Sequence, residues 1–98
     1  MHERIKAMTE EMHIASLVVH VVPDALRSIE RALVAYEDMQ VHGTHPDGKL
    51  VVTLEGSTAS EIMDQVSQIR QIEGVLNVSL VYQHTEPRQL LNEGVTHD

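Results

Sequence analysis

The period of the apolar residues changes from two to about 3.6 and back along this chain, and that succession limits the folds open to it. His13 to Val22 is a β-branched run, the signature of a strand buried on at least one face. Pro23-Asp24 ends it and opens a helix, since Pro is tolerated in a first turn and Asp is favourable at the positive end. Leu26, Ile29, Leu33 and Tyr36 then recur at helical spacing, with Arg27, Glu30, Arg31 and Glu37 towards water. Met39 to Thr44 alternates and predicts a short strand. His45-Pro46-Asp47-Gly48-Lys49 is a turn, because Pro presets φ and Gly supplies a positive φ. Lys49 to Glu55 returns as the second arm of a hairpin. Thr58-Ala59-Ser60-Glu61 has the capping-box pattern, followed by the apolar stripe Ala59, Ile62, Val66 and Ile69 of a second helix. Gly74 is a helix stop, and Val75 to Gln83 forms the last strand.

The resulting order, β-α-β-β-α-β, predicts an α+β, ferredoxin-like two-layer sandwich. In it a four-stranded antiparallel sheet, ordered 4-1-3-2, carries both helices on one face. At 98 residues the chain has room for one core, and with aromatics at 2% that core must be aliphatic. The expected organisation is a mobile N-terminal arm over 1–12, one domain over 13–84 and a flexible C-terminal tail over 85–98.

Two layers leave one sheet face uncovered, and strand parity says which side chains it carries. Ala15, Leu17, Val19 and Val21 are expected beneath the helices, as are Leu50, Val52 and Leu54, and Leu76, Val78, Leu80 and Tyr82. Ser16, Val18 and His20, then Val51, Thr53 and Glu55, then Asn77, Ser79, Val81 and Gln83 are expected on the open face. Gln40, His42 and Thr44 would join them.

Composition removes several classes of function. A formal net charge of −8 with scattered Lys and Arg argues against nucleic acid as a partner. The absence of cysteine excludes disulfides, thiolate metal sites and cysteine nucleophiles, and leans towards a reducing compartment. Met1 to Lys6 alternates in charge and lacks the apolar core of a leader, and the apolar stretch from Ala15 to Val22 is too short to span a bilayer. His42 and His45 straddle a strand end and a turn, and His13 and His20 have opposite parity, so no tetrahedral metal site is expected. No glycine-rich elbow surrounds Ser57, Ser60 or Ser67, and no phosphate loop occurs. A binding protein without a cofactor, not an enzyme, is the expectation.

Three segments in register resemble one family. Ile14-Ala15-Ser16-Leu17-Val18-Val19 is similar to the opening strand of the NapD proteins, and Gly48-Lys49-Leu50-Val51-Val52-Thr53-Leu54-Glu55 to their third. Ile72 to His84, with Ser79-Leu80-Val81-Tyr82 its most specific part, resembles their last strand and its lead-in. The resemblance implies a cytoplasmic chaperone of the periplasmic nitrate reductase system, and the chain is expected to be a monomer with weak self-association open to it. Such a protein binds the twin-arginine signal peptide of the catalytic subunit precursor, in helical form, over the sheet face. It restrains export until the cofactors are inserted. By position this implies peptide binding by Ser16, Val18, His20, Thr53, Asn77, Ser79 and Val81. The alternative is a ferredoxin-like small-molecule (amino-acid) sensing regulatory domain. Such modules carry glycine-rich ligand loops, whereas Gly43, Gly48, Gly56 and Gly74 here each have a turn or cap role.

The chain is expected to purify without stoichiometric metal. Elemental analysis of untagged protein checks this, and one tightly held zinc or iron per chain would contradict it.

Overall fold

The computed structural model describes residues 11–87. Strand β1 (Glu11–Val21) leads through a 3-10 turn at Pro23–Ala25 into α1 (Leu26–Val34). There follow β2 (Met39–His45), β3 (Lys49–Gly56), α2 (Ala59–Arg70) and β4 (Val75–Pro87). The strands form one antiparallel sheet in the order β2-β3-β1-β4, with β1 and β3 at its centre. This is the ferredoxin-like α+β arrangement that the order of elements predicts. Two strands overrun their expected limits, since β1 already starts at Glu11 and β4 continues to Pro87. The rest of the expected arm and tail lies outside the described residues.

Local chemistry explains the boundaries. The Thr58 hydroxyl accepts from the Glu61 N–H at 3.1 Å and so caps α2. The Glu61 carboxylate accepts from the Ser57 N–H at 2.8 Å, one residue before the amide that a standard capping box would engage. Gly48 (φ 104°) closes the β2–β3 turn, and a Cβ there would run into the Val21 carbonyl oxygen. Gly74 (φ 100°) does not end α2, which stops at Arg70; it opens β4, and its carbonyl accepts from the Val22 N–H at 2.8 Å.

The core lies between the sheet and the helices. Ala15, Leu17, Val19 and Val21 of β1 and Leu50, Val52 and Leu54 of β3 are buried, as parity predicts. Ile29 and Leu33 of α1 and Ile62, Val66 and Ile69 of α2 close over them. Met39 and Val78 complete the core, and among the described residues no polar or charged side chain is buried.

Strand β4 departs from the expected alternation. Its register against β1 slips between Ser16 and Leu17 and again between His20 and Val21, leaving Val81 and Leu76 without direct partners. Of the four β4 side chains expected under the helices only Val78 is buried. Tyr82 pairs with Ser16 and therefore stands on the open face, 56% exposed, while Gln83 pairs with Ala15 and moves to the helix side. Leu80 pairs with Leu17 and keeps the predicted side, yet it is 53% exposed, because α2 does not extend over the outer edge of β4. It lines an open groove there with Ile62, Met63, Val66 and Gln83. Leu76, one of the unpaired residues, is 67% exposed. A third register shift, between Val41 and Gly43, sets Thr44 opposite Leu50 and takes it off the open face. Tyr36 follows the end of α1 and is exposed, as is Ala59 in the first turn of α2, so neither joins its helix stripe.

These positions predict unequal costs for two chemically identical truncations. Leu17→Ala removes buried methyls and leaves a cavity, a loss of about 2–5 kcal/mol. Leu80→Ala, with roughly half its side chain already in water, should lose about 1 kcal/mol. Denaturant melts of both variants measure the difference; equal losses would mean that Leu80 is covered in solution.

Candidate functional site

The side of the sheet away from the helices is built in cross-strand rows. Lys49, His20 and Asn77 lie side by side in one, and Val51, Val18 and Ser79 in the next. Thr53, Ser16 and Tyr82 form the third, where Val81 and Tyr82 of the bulge together oppose Ser16. Glu55, Ile14 and His84 form the fourth, and Met12 pairs with Glu86 beyond it. The residues inferred from sequence, Ser16, Val18, His20, Thr53, Asn77, Ser79 and Val81, are thus brought onto neighbouring positions of one surface. Same-face neighbours are two residues apart on each strand, so adjacent rows are roughly 7 Å apart.

Much of the polar chemistry on this face is already paired. His42 Nε2 and Thr53 Oγ1 are 2.8 Å apart, and Asn77 Nδ2 donates to Ser79 Oγ at 3.1 Å. The rings of Tyr82 and His84 stack with centroids 6.1 Å apart and an interplanar angle of 16°. His84 Nε2 lies 3.4 Å from Glu86 Oε2. His20 Nδ1 is buried without a hydrogen-bond partner among the described residues. The centre of the face presents apolar groups to a ligand: Val51 (45% exposed), Val81 (64%) and Tyr82, with Ile14 and Val18 half-buried between them.

Parity missed Tyr82 and His84 as members of this surface, because nothing in Leu80-Val81-Tyr82 marks a bulge: neither Gly nor Pro interrupts the strand. The discernible signal was the aromatic itself, which is hard to place in a core as small and aliphatic as this one. The histidine pair of the β2–β3 turn is separately engaged, His42 with Thr53 and His45 as acceptor from the Asp47 N–H at 3.1 Å. Among the described residues no group of three or more His, Cys, Asp or Glu could hold a metal ion. No helix among them is long and apolar enough to cross a membrane. The surface suits burial of an apolar segment.

Comparison with known proteins agrees on one family. A family model described as NapD protein matches residues 12–87. The chaperone NapD of Haemophilus influenzae is 31% identical over 80 residues, covering 81% of this chain and 85% of the relative. That of Escherichia coli K12 is also 31% identical, with 81% and 92% covered. The chaperone NapD of Paracoccus pantotrophus is 30% identical over 76 residues, covering 78% and 67%. The fold matches the solution structure of the E. coli Tat proofreading chaperone NapD with a TM-score of 0.71, covering 84% of this chain and 86% of that one. A transcriptional regulatory protein of the AsnC family from Pyrococcus furiosus also superposes, with a TM-score of 0.59 over 81% of this chain and 52% of that one, but at 17% identity it shares the fold alone. Curated relatives at this level are named chaperones, a non-enzymatic role, and the family match spans both central strands and the whole of the open face: the chain belongs to the NapD family of chaperones.

Proposed function

We propose that this chaperone binds the twin-arginine signal peptide of the precursor of the periplasmic nitrate reductase catalytic subunit. It does so in the cytoplasm, as a monomer, and holds the precursor back from export until its cofactors are in place. One observation carries this reading: an uncovered sheet face with an apolar centre at Val18, Val51, Val81 and Tyr82, whose polar neighbours largely satisfy one another. A leader peptide is basic at one end and apolar in its middle, and it meets here an apolar surface on a chain of net charge −8. The solved relative named as a Tat proofreading chaperone supports the same class of ligand.

Burial supplies most of the affinity. Covering about 400 Å² of apolar surface contributes ~10 kcal/mol before the cost of association, against roughly 0.2–1 kcal/mol for each exposed ion pair to an arginine. Ser16, Val18, His20, Thr53, Asn77, Ser79 and Val81 act as contact residues, and Tyr82 joins them. Insertion of the cofactors falls to other proteins while the leader is held.

Ser79→Arg tests the surface without entering the core. Ser79 is half-buried beside Val18, and an arginine there extends over the face towards water. Stability should fall by less than about 1 kcal/mol. Affinity for a synthetic leader peptide should drop at least tenfold, as a bulky, hydrated guanidinium in the Val18 and Val51 row holds an apolar segment off the face. Thermal melts and a peptide titration measure both, and a folded variant that binds normally would overturn the reading.

A further inference from the structure

The open face is polarised along its strands. At one end Glu55 and Glu86 occupy successive rows beside Ile14 and Met12. Asp38 and Glu61 join Met12 and Glu55 around an open cavity at the same rim. Two of these carboxylates have partners, Glu61 in the Ser57 N–H and Glu86 in His84. At the other end Lys49 stands beside His20 and pairs with His45, whose ring nitrogen lies 3.5 Å from the Asp47 carboxylate. Between the ends lie the rows of Val51, Val18 and Ser79, and of Thr53, Ser16 and Tyr82. Along the face the order is therefore acid, apolar, base.

A segment laid across a sheet face cannot join the ladder, whose hydrogen bonds run within the sheet, so it must satisfy its own backbone groups as a helix. The Lys49 and Glu55 rows are about 20 Å apart, the length of a helix of about 13 residues. Such a helix carries partial positive charge at its N-terminus and partial negative charge at its C-terminus. An arginine pair ahead of an apolar segment adds its charge to the N-terminal end. Both the side chains and the backbone dipole of the ligand are then matched in one direction only.

Resting on the function proposed above, we infer that the leader helix runs in the same direction as β1. Its arginine pair sits at the Glu55 and Glu86 end, and the C-terminal end of its apolar segment sits at Lys49. The face thus distinguishes a twin-arginine leader from an equally apolar segment whose basic residues follow it, since the latter would bring its cations to Lys49 in this direction and its positive helix terminus there in the other.

The test uses the full-length chain, labelled with nitrogen-15, and a synthetic twin-arginine leader carrying a nitroxide either just before the arginines or just after the apolar segment. The first label should broaden the amides of Ile14, Glu55 and His84, and the second those of His20, Lys49 and Asn77. Exchange of the two sets, or equal broadening of both by each label, would overturn the orientation while leaving recognition by this face intact. If neither label affects the open face, the proposed function fails with it. Glu55→Lys, an exposed change, should weaken the arginine peptide at least fivefold and a glutamine-substituted peptide less than twofold. Equal loss for both would contradict contact between this end and the arginines.

Discussion

The antiparallel pairing of β1 with β3 beneath the two helices is the interaction on which the rest of the structure depends. It buries Ala15, Leu17 and Val19 against Leu54, Val52 and Leu50, and each large aliphatic side chain so buried is worth about 1.5–3 kcal/mol. A strand's side chains alternate, so the same pairing decides both surfaces at once. A slip of one residue would place Leu17 in water and Ser16 in the core, and the lost burial fixes the register. With that register set, Ser16, Val18, Val51 and Thr53 have no position but the uncovered side.

The core and the proposed recognition surface thereby lie on opposite sides of a single sheet. The helix side is aliphatic, and among the described residues it buries no polar side chain. The open side carries small hydroxyls and imidazoles, several of them paired with neighbouring side chains, and valines that contribute little to the core. The β4 bulge at Val81 links the two requirements. It preserves Leu80 opposite Leu17 while turning both Val81 and Tyr82 towards the open surface, which adds the largest apolar side chain to that face.

The central strands, the helix stripes and the sheet order were legible in the chain itself because each rests on periodicity. Leu17, Val19, Leu50, Val52, Ile29, Leu33, Ile62, Val66 and Ile69 all lie where their spacing predicts. Edge strands obey parity less well, since they have one partner and can absorb an extra residue at little cost. For that reason Tyr82, Gln83 and Thr44 lie on the face opposite to the one parity predicts, and β4 runs on to Pro87. The exposure of Leu76 and Leu80 was hidden for another reason. Parity gives the side of a sheet, but not how far the helices extend over it. The candidate surface was recovered in its central rows, whereas the stack of Tyr82 on His84 and the charge polarity from Glu55 to Lys49 required the register to be seen.

Mapping amide shifts as unlabelled leader peptide is added to the nitrogen-15-labelled chain shows whether the face left open by the two-layer sandwich is the recognition surface. The largest perturbations should cluster at Ser16, Val18, His20, Val51, Thr53, Ser79 and Tyr82, with Arg27, Arg31 and Met63 on the helices almost unmoved. Perturbations centred on the helices, with the open face silent at saturation, would contradict it.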